Sequence, residues 1–249
     1  MKPYKIFFVR HGESEGNVNK EVYKDTPDYA LKLTDKGKDQ ANLAGVILSS
    51  EIGNHKILVG FDPKKFITNS KVMFYISPFW RTRMTFLEIA KYFPNHILYE
   101  DPRLREQEWG QNMETREGYK EKIEDYRDGY GHFYYRFRDG GESCSDVYDR
   151  VSDFMNTMHR DFEKEDFPRN VVMVMHGMSI RLFIMRWFHI SVEEFETWGN
   201  PRNGEIWTMQ RNESGKYDLL NPIRTHTIRH PFQFDWEKYP INEPKLKQI

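Results

Sequence analysis

Cysteine is almost absent from the chain: Cys144 is the only one among 249 residues, so no disulfide can form within it. Long apolar runs are absent as well, since no stretch approaches the roughly 18 apolar residues of a membrane span. The apolar run at residues 6–9 is too short for a signal peptide and is followed at once by Arg10 and His11. These absences predict a soluble, cytoplasmic protein without a membrane partner.

An excess of charge of one sign is also lacking. The 37 Lys and Arg residues nearly balance 38 Asp and Glu residues, which leaves a formal net charge of −1. Because there is no overall basic field, we expect no nucleic-acid partner. Charged residues make up 30% of the chain and aromatic residues 15%, a composition typical of a globular protein rather than a disordered one. The length suits one large α/β domain or two small ones.

Short apolar segments alternate with helical patterns along the chain. The predicted strands are rich in apolar, aromatic or β-branched residues, and they cover residues 4–9, 71–76, 96–99, 171–175, 205–211 and 216–220. The predicted helices follow apolar spacing or capping signals, and they cover residues 35–49, 79–93, 146–162 and 179–188. This alternation predicts an α/β fold with a mostly parallel sheet and helices on both of its faces.

Three segments fall outside this regular pattern. Residues 53–70 contain Gly, Pro and several lysines, so we expect a long connection or insertion there. Residues 111–141 are dense in Tyr, Phe, Arg and Asp without a clean period, which indicates an irregular substrate lobe. Residues 222–249 are rich in Pro and mixed charge, as in a surface extension. We therefore predict a single α/β domain over residues 1–221, followed by a C-terminal extension.

Basic side chains follow three predicted strands at the point where each strand ends. Arg10 and His11 come directly after the first strand, Arg81 comes shortly after the second, and His176 follows the strand at residues 171–175. In parallel sheets, ligands bind beyond the carboxyl ends of the strands. If these strands are neighbours, the three groups converge on one pocket, and Glu106 can reach its rim from the loop after residues 96–99.

Such a pocket suits phosphoryl transfer. Two arginines bind the non-bridging oxygens of a phosphate in a bidentate manner, and the second histidine adds a donor. The imidazole of His11 can then attack phosphorus and form a phosphohistidine. Glu106 can protonate the leaving alkoxide, a contribution of ~10²–10⁴ in rate. We expect neither a metal nor a cofactor, and we expect glycines at 12 and 177 to leave room for close approach of an anion.

Six blocks of sequence occur in the order found in one family and together cover about residues 4–210. The blocks are Arg10-His11-Gly12-Glu13-Ser14 with Asn17, Leu33-Thr34-Asp35-Lys36-Gly37 with Gln40-Ala41, Ser77-Pro78-Phe79-Trp80-Arg81-Thr82 with Thr85, Leu104-Arg105-Glu106 with Gly110, Gly141-Glu142-Ser143, and Met175-His176-Gly177 with Arg181. Together they resemble the histidine phosphatase superfamily, in its phosphoglycerate-mutase-like branch. This set is far more specific than any single block.

The resemblance implies a three-layer α/β/α fold and a role for each matched position. His11 is the expected phosphorylated nucleophile, Glu106 the proton donor, and Asn17 a further phosphate or substrate contact. The implied phosphate pocket consists of Arg10, Arg81 and His176, with Gly177 beside it.

Several assignments have rivals. Glu13 stands near the nucleophile and Glu108 lies two residues from Glu106, and only the place of Glu106 in its motif favours it over them. Taken alone, His176 at the end of an apolar strand is better interpreted as a satisfied core histidine than as a ligand-binding one. Arg136, or its neighbour Arg138, precedes the Gly141 motif, so we consider it as a contact to the non-reacting part of the substrate.

Three functions stay open at this point. A phosphatase transfers the phosphoryl group from His11 to water, a mutase returns it to another hydroxyl, and an inactive member only binds phosphorylated ligands or proteins. The phosphatase is favoured, because residues 111–141 lack the proline-rich insertion of the family's mutases and all core residues are present. The expected partner is a phosphorylated small molecule or a phosphoprotein, and the oligomeric state, including a homodimer, stays open.

Overall fold

A computed structural model of the chain describes residues 2–53, 67–110, 131–137 and 139–226. Within these ranges six strands form one sheet, and they are β1 (Lys5–Arg10), β2 (Val72–Ile76), β3 (His96–Glu100), β4 (Asn170–Met175), β5 (Ile206–Arg211) and β6 (Tyr217–Leu219). The strand order is β3-β2-β4-β1-β5-β6. Strands β1 to β4 run parallel, whereas β5 is antiparallel to β1 and β6 to β5. The prediction of a mostly parallel sheet is confirmed.

Helices connect the strands and lie on both faces of the sheet. In the described ranges the α-helices are α1 (Glu15–Val18), α2 (Asp35–Gly53), α3 (Trp80–Ala90), α4 (Cys144–Phe162), α5 (Gly177–Phe188) and α6 (Val192–Glu196). Short 3-10 turns cover Lys20–Lys24, Asp28–Ala30 and Pro102–Leu104. No helix within the described ranges is long and apolar enough to cross a membrane.

The core is divided by the sheet, as strand geometry requires. Successive side chains of a strand point to opposite faces, so Ile6 and Phe8 belong to one apolar cluster and Phe7 and Val9 to the other. Helices α4 and α5 contribute to the first cluster, whereas α2 and α3 contribute to the second. The predicted three-layer α/β/α architecture is therefore confirmed, and burial on both faces explains why the parallel strands read as unbroken apolar runs.

Several predicted boundaries are wrong by two to four residues, and capping explains one of them. Helix α4 begins at Cys144 because Ser143 accepts a hydrogen bond from the Asp146 backbone and the Asp146 side chain caps in return. The apolar period that indicated this helix starts only inside its first turn. Helix α5 begins directly after His176, which is its N-cap residue. Helix α2 ends at Gly53 instead of residue 49, and α3 ends at Ala90 instead of residue 93.

Parts of the predicted irregular segments lie outside the described residues. These parts are residues 54–66, residues 111–130, residue 138 and residues 227–249. The proposed insertion, substrate lobe and C-terminal extension thus stay predictions, as does the domain boundary at residue 221.

Candidate active site

The strand order brings the predicted site residues together. Strand β4 lies between β1 and β2, and its register places Met175 opposite Arg10 and Val174 opposite Ile76. The residues that follow these three strands therefore meet at one edge of the sheet. The rings of His11 and His176 lie edge to face, with 5.2 Å between their centroids. Arg81, in the first turn of α3, donates a hydrogen bond of 3.3 Å from Nε to Nε2 of His11.

His11 is held in the tautomer that a nucleophile needs. Its Nδ1 lies 2.7 Å from the carbonyl oxygen of Gly12. Because a carbonyl can only accept, Nδ1 carries the proton and Nε2 keeps its lone pair. His11 is 3% exposed, and this burial, together with the charges of Arg81 and Arg10, holds the pKa of its imidazole well below its ordinary value. The ring is therefore neutral at physiological pH and available for attack through Nε2.

Arg10 and His176, which lie beside His11 in sequence and in space respectively, each have a paired side-chain nitrogen and one without a partner in the described part of the chain. Arg10 donates from Nη1 to the carbonyl of Pro201 over 2.6 Å, and Nε2 of His176 lies 2.8 Å from the Ser77 hydroxyl. Within the described residues, Arg10 Nε and His176 Nδ1 are buried without a hydrogen-bond partner. Buried polar atoms are nearly always paired, so two such atoms beside His11 favour a pocket for an external acceptor such as phosphate.

Glu106 lies beside the two arginines. Its carboxyl accepts a hydrogen bond of 3.0 Å from the backbone of Gln107. Removal from water raises the pKa of this carboxyl, while Arg81 and Arg10 act in the opposite direction. Glu106 is thus close enough to both arginines to interact with their charges, and it keeps its proton to higher pH than an ordinary carboxyl does. Both properties suit a group that gives a proton to the leaving oxygen.

The two rival carboxylates have other partners. Glu13 accepts hydrogen bonds from the Thr34 hydroxyl at 3.0 Å and from Lys36 at 2.7 Å, and the Lys36 hydrogen bond is the main cause of its lowered pKa. Glu108 lies 3.7 Å from Arg105, outside the pair of pocket arginines. The geometry therefore supports Glu106 over Glu13 and Glu108 as the acid.

Asn17 lies next to the loop that carries His11. Its side-chain oxygen accepts hydrogen bonds from the Ser14 backbone at 3.0 Å and from the Asn203 amide at 3.1 Å. Asn203 also donates to the backbone carbonyl of His11 over 3.1 Å. The oxygen of Asn17 thus holds the loop in place, and its amide nitrogen is the donor that can serve a substrate.

The two glycines that follow the histidines are closely packed against other parts of the protein. A β-carbon at Gly12 would collide with the carbonyl oxygen of Gly37. A β-carbon at Gly177 would lie 3.1 Å from the side chain of Asn200. The space that glycine frees is occupied by the protein itself at both positions. Close packing of the two histidine loops is thus a structural reason for glycine at both positions, and the expectation that they leave room for an anion stays a prediction.

Arg136 is not brought to the pocket by any contact among the described residues. Its guanidinium forms an ion pair with Asp146 and donates to the carbonyl of Gly141 over 3.4 Å. Arg138 lies outside the described residues. A role of Arg136 in substrate binding stays a prediction.

Three residues that support the site were missed. Ser77 partners His176 and lay inside a recognised motif, so its hydroxyl was a usable signal. Arg150 donates to the backbone carbonyls of the segment that carries Glu106, and it was hidden on the polar face of a helix. Asp28 pairs with Arg81, and no pattern in the sequence around it indicated a partner.

Comparisons with known proteins agree with this geometry. The sequence profile of the histidine phosphatase superfamily (branch 1) matches residues 6–221. The chain is 39% identical to phosphoglycerate mutase-like protein AT74 of Arabidopsis thaliana, over 88% of this chain and 68% of that protein. It is 30% identical to the broad-range acid phosphatase DET1 of Saccharomyces cerevisiae, over 89% of this chain and 90% of that protein.

Among solved structures, a mycobacterial glucosyl-3-phosphoglycerate phosphatase superposes with a TM-score of 0.65 at 18% identity. The superposition covers 90% of this chain and all of the other, and at this identity it is informative about the fold alone. The profile match spans most of the chain and includes the whole described sheet except Lys5, the first residue of β1. The chain belongs to the histidine phosphatase superfamily.

Proposed function

We propose that the protein is a phosphatase that hydrolyses phosphate monoesters through a phosphohistidine on His11. One observation carries the proposal: Nε2 of the buried His11 accepts a hydrogen bond from Arg81, while the adjacent Arg10 and the facing ring of His176 each keep a buried nitrogen without a partner among the described residues. A nucleophile surrounded by three hydrogen-bond donors suits the transition state of phosphoryl transfer, in which charge is spread over three equatorial oxygens.

In the first step, Nε2 of His11 attacks phosphorus. A nitrogen–phosphorus bond forms while the bond from phosphorus to the ester oxygen breaks, and the electron pair leaves with that oxygen. Glu106 gives its proton to the departing alkoxide, so an alcohol is released and Glu106 is left as a carboxylate. Arg10, Arg81 and His176 hold the three equatorial oxygens throughout.

The second step reverses these roles with water. The Glu106 carboxylate removes a proton from a water molecule as the water oxygen attacks phosphorus. The nitrogen–phosphorus bond breaks, its electron pair returns to Nε2 of His11, and inorganic phosphate is formed. At the end of this step His11 is free again and Glu106 carries its proton again, as before the reaction.

The same set of side chains supports the proposal that no metal and no cofactor take part. Two guanidinium groups supply the positive charge that a divalent cation supplies in other phosphoryl-transfer sites, and the neutral imidazole of His176 adds a hydrogen-bonding group. Hydrolysis needs only the ester and water, without a redox or group-carrying reactant.

The names of the relatives do not point to a single substrate. One relative is called a broad-range acid phosphatase, which agrees with a pocket that recognises phosphate and little else. We propose a phosphorylated small molecule or a phosphoprotein as the substrate. A second candidate function is that of a mutase, because two relatives carry the name phosphoglycerate mutase-like protein.

The test is phosphate release from p-nitrophenyl phosphate and from an alkyl phosphate, measured with a chelator present. Turnover under these conditions is the expected result. Absence of turnover by the folded protein on both esters would refute the phosphatase, and binding of labelled phosphate without turnover would indicate an inactive binder. Interconversion of 2- and 3-phosphoglycerate faster than their hydrolysis would establish the mutase instead.

A further inference from the structure

Asp28 forms a two-pronged ion pair with the pocket arginine Arg81. Its carboxylate oxygens lie 2.9 Å from Nη1 and 3.1 Å from Nη2 of Arg81. The backbone carbonyl of Asp28 accepts a further hydrogen bond of 2.7 Å from Nη1. The Arg81 side chain is 5% exposed and the Asp28 side chain 21%, so the pair is largely shielded from water. Such shielded bidentate pairs are geometrically specific.

The hydrogen atoms of the Arg81 guanidinium can be fully accounted for. A guanidinium carries five N–H bonds, one on Nε and two on each terminal nitrogen. Asp28 takes both hydrogens of Nη1 and one of Nη2, and His11 Nε2 takes the hydrogen on Nε. One hydrogen of Nη2 remains for a further acceptor.

The two edges of the Arg81 guanidinium have different partners. Asp28 occupies the end formed by Nη1 and Nη2, whereas the side formed by Nε and Nη2 is turned toward His11. Once Nε2 of His11 bonds to phosphorus, it no longer accepts the Nε hydrogen, and the side edge then offers two donors to oxygens of the phosphoryl group. A phosphoryl group on His11 can therefore bind Arg81 without displacing Asp28.

We propose that Asp28 is a positioning residue for phosphoryl transfer, which acts by holding the Nε–Nη2 edge of Arg81 toward His11. The proposal rests on the proposed phosphatase activity and adds a residue to it. Arginine side chains have several rotatable bonds, and a misplacement of about 1 Å can cost roughly 10² in rate. Asp28 removes that freedom before the substrate arrives.

The position of Asp28 is itself fixed by its surroundings. The 3-10 turn Asp28–Ala30 closes through a hydrogen bond of 3.3 Å from the Leu31 backbone to the Asp28 carbonyl. Leu31 is fully buried. Tyr23 lies close by, and burial raises the pKa of its hydroxyl to about 12, with the Asp28 charge contributing in the same direction. The carboxylate is thus held by a packed turn, as a positioning role requires.

An opposite interpretation is that the Asp28 carboxylate occupies a place meant for phosphate and must leave before the ester binds. The two interpretations differ in what removal of the charge does. If Asp28 positions Arg81, its loss lowers kcat. If Asp28 competes with phosphate, its loss leaves kcat intact or raises it and strengthens inhibition by inorganic phosphate.

The test compares Asp28→Asn with the matched control Asp25→Asn. Asp25 is exposed and lies three residues away on the same segment, and Asp25→Asn removes the same charge. We measure kcat, KM and inhibition by inorganic phosphate with an alkyl phosphate, together with thermal melting. We expect kcat of Asp28→Asn to fall about tenfold to 100-fold without stronger phosphate inhibition, and Asp25→Asn to match the wild type.

A second variant keeps the test decisive if Asp28→Asn unfolds. Asp28→Glu keeps the charge but moves the carboxylate by one methylene, so it also lowers kcat if the position of Arg81 matters. In the Arg81→Lys background, Asp28→Asn should have little further effect, because Asp28 acts only through the guanidinium fork.

Values of kcat within about twofold of the wild type for both Asp28 variants would overturn the proposal, because a misplaced arginine costs far more. This outcome is separate from failure of the proposed function. An inactive wild-type protein refutes the phosphatase, whereas an active wild type with active Asp28 variants refutes only the role of Asp28.

Discussion

Arg150 donates a hydrogen bond of 3.0 Å from Nη2 to the backbone carbonyl of Glu106, the proposed proton donor. Its Nη1 donates to the backbone carbonyls of Arg103 and Arg105 over 2.6 and 2.9 Å. The carboxylate of Glu142 pairs with the same guanidinium at 2.9 Å. Arg150 of helix α4 therefore holds the backbone of residues 103–106 in place through hydrogen bonds.

Replacement of Arg150 by lysine should weaken acid catalysis selectively. Lysine keeps a charge for Glu142 but lacks the planar fork that reaches three carbonyls. We expect kcat/KM for an alkyl phosphate to fall about tenfold or more, and that for p-nitrophenyl phosphate to change little. The control is Arg160→Lys, an exposed position on the same helix. An equal loss on both esters would show that Arg150 does not act through Glu106.

Removal of the proton donor itself should have a stronger effect of the same kind. Glu106→Gln keeps the shape of the side chain and removes its proton. Leaving groups with a high pKa need protonation, so we expect a loss of ~10²–10⁴ for alkyl phosphates and a much smaller one for activated aryl phosphates. Steady-state rates over a series of leaving groups measure this. Glu108→Gln should show no such dependence, and if it did, the acid would be Glu108.

The pH dependence of the reaction follows from the two shifted pKa values. The pKa of His11 is lowered, mainly by burial, so its neutral form persists as the pH falls through the ordinary histidine range. The pKa of Glu106 is raised, mainly by burial, so its proton is retained above the ordinary range of a carboxyl and lost as the pH rises further. We expect kcat/KM to be highest on the acid side of neutrality. A maximum on the alkaline side would contradict the acid role of Glu106, whereas a loss of rate as the pH falls through the ordinary histidine range would contradict the lowered pKa of His11.

Loss of the nucleophile should abolish the covalent intermediate. His11→Ala leaves Arg10, Arg81 and His176 without a group to phosphorylate, and we expect kcat to fall on the order of 10⁴-fold or more. Rapid acid-free quenching after incubation with a ³²P-labelled ester detects the acid-labile phosphohistidine. His226→Ala, at an exposed position, is the control. Acid-labile label that persists in His11→Ala would place the nucleophile elsewhere.

Close packing at Gly12 should make this position intolerant of a side chain. A β-carbon there meets the backbone carbonyl of Gly37, which cannot rotate away. We expect Gly12→Ala to lower the free energy of unfolding by about 1–3 kcal/mol, the usual cost of overpacking. Thermal and urea unfolding measure it. Gly199→Ala, where the nearest atom is 3.3 Å from the added carbon, should cost less, and equal costs would contradict the packing argument.

Much of the fold was predictable because its signals are local. Strands buried on both faces read as apolar runs, and the helices between them carry capping residues and an apolar period. Boundaries were less accurate where a cap precedes the apolar pattern, as at Ser143. The turns between residues 19 and 31 carry no apolar period, so the segment that contains Asp28 was not predicted.

The sequence by itself determined which groups are available for chemistry. Arg10, His11, Arg81 and His176 each follow a strand, and the strand-end rule for parallel sheets was enough to expect them in one pocket. The preference for Glu106 over its neighbours came from a motif, and it agrees with the closeness of Arg10 and Arg81 to the Glu106 carboxyl.

Only the tertiary structure decided how those groups are held. The contact from Arg81 to Asp28 spans 53 residues, and that from Arg150 to Glu106 spans 44. Such pairs depend on the strand order β3-β2-β4-β1 and on turns packed against it, and no local periodicity encodes them. The residues proposed to react can be recognised along the chain, whereas the residues proposed to position them are recognised only after folding brings distant segments together.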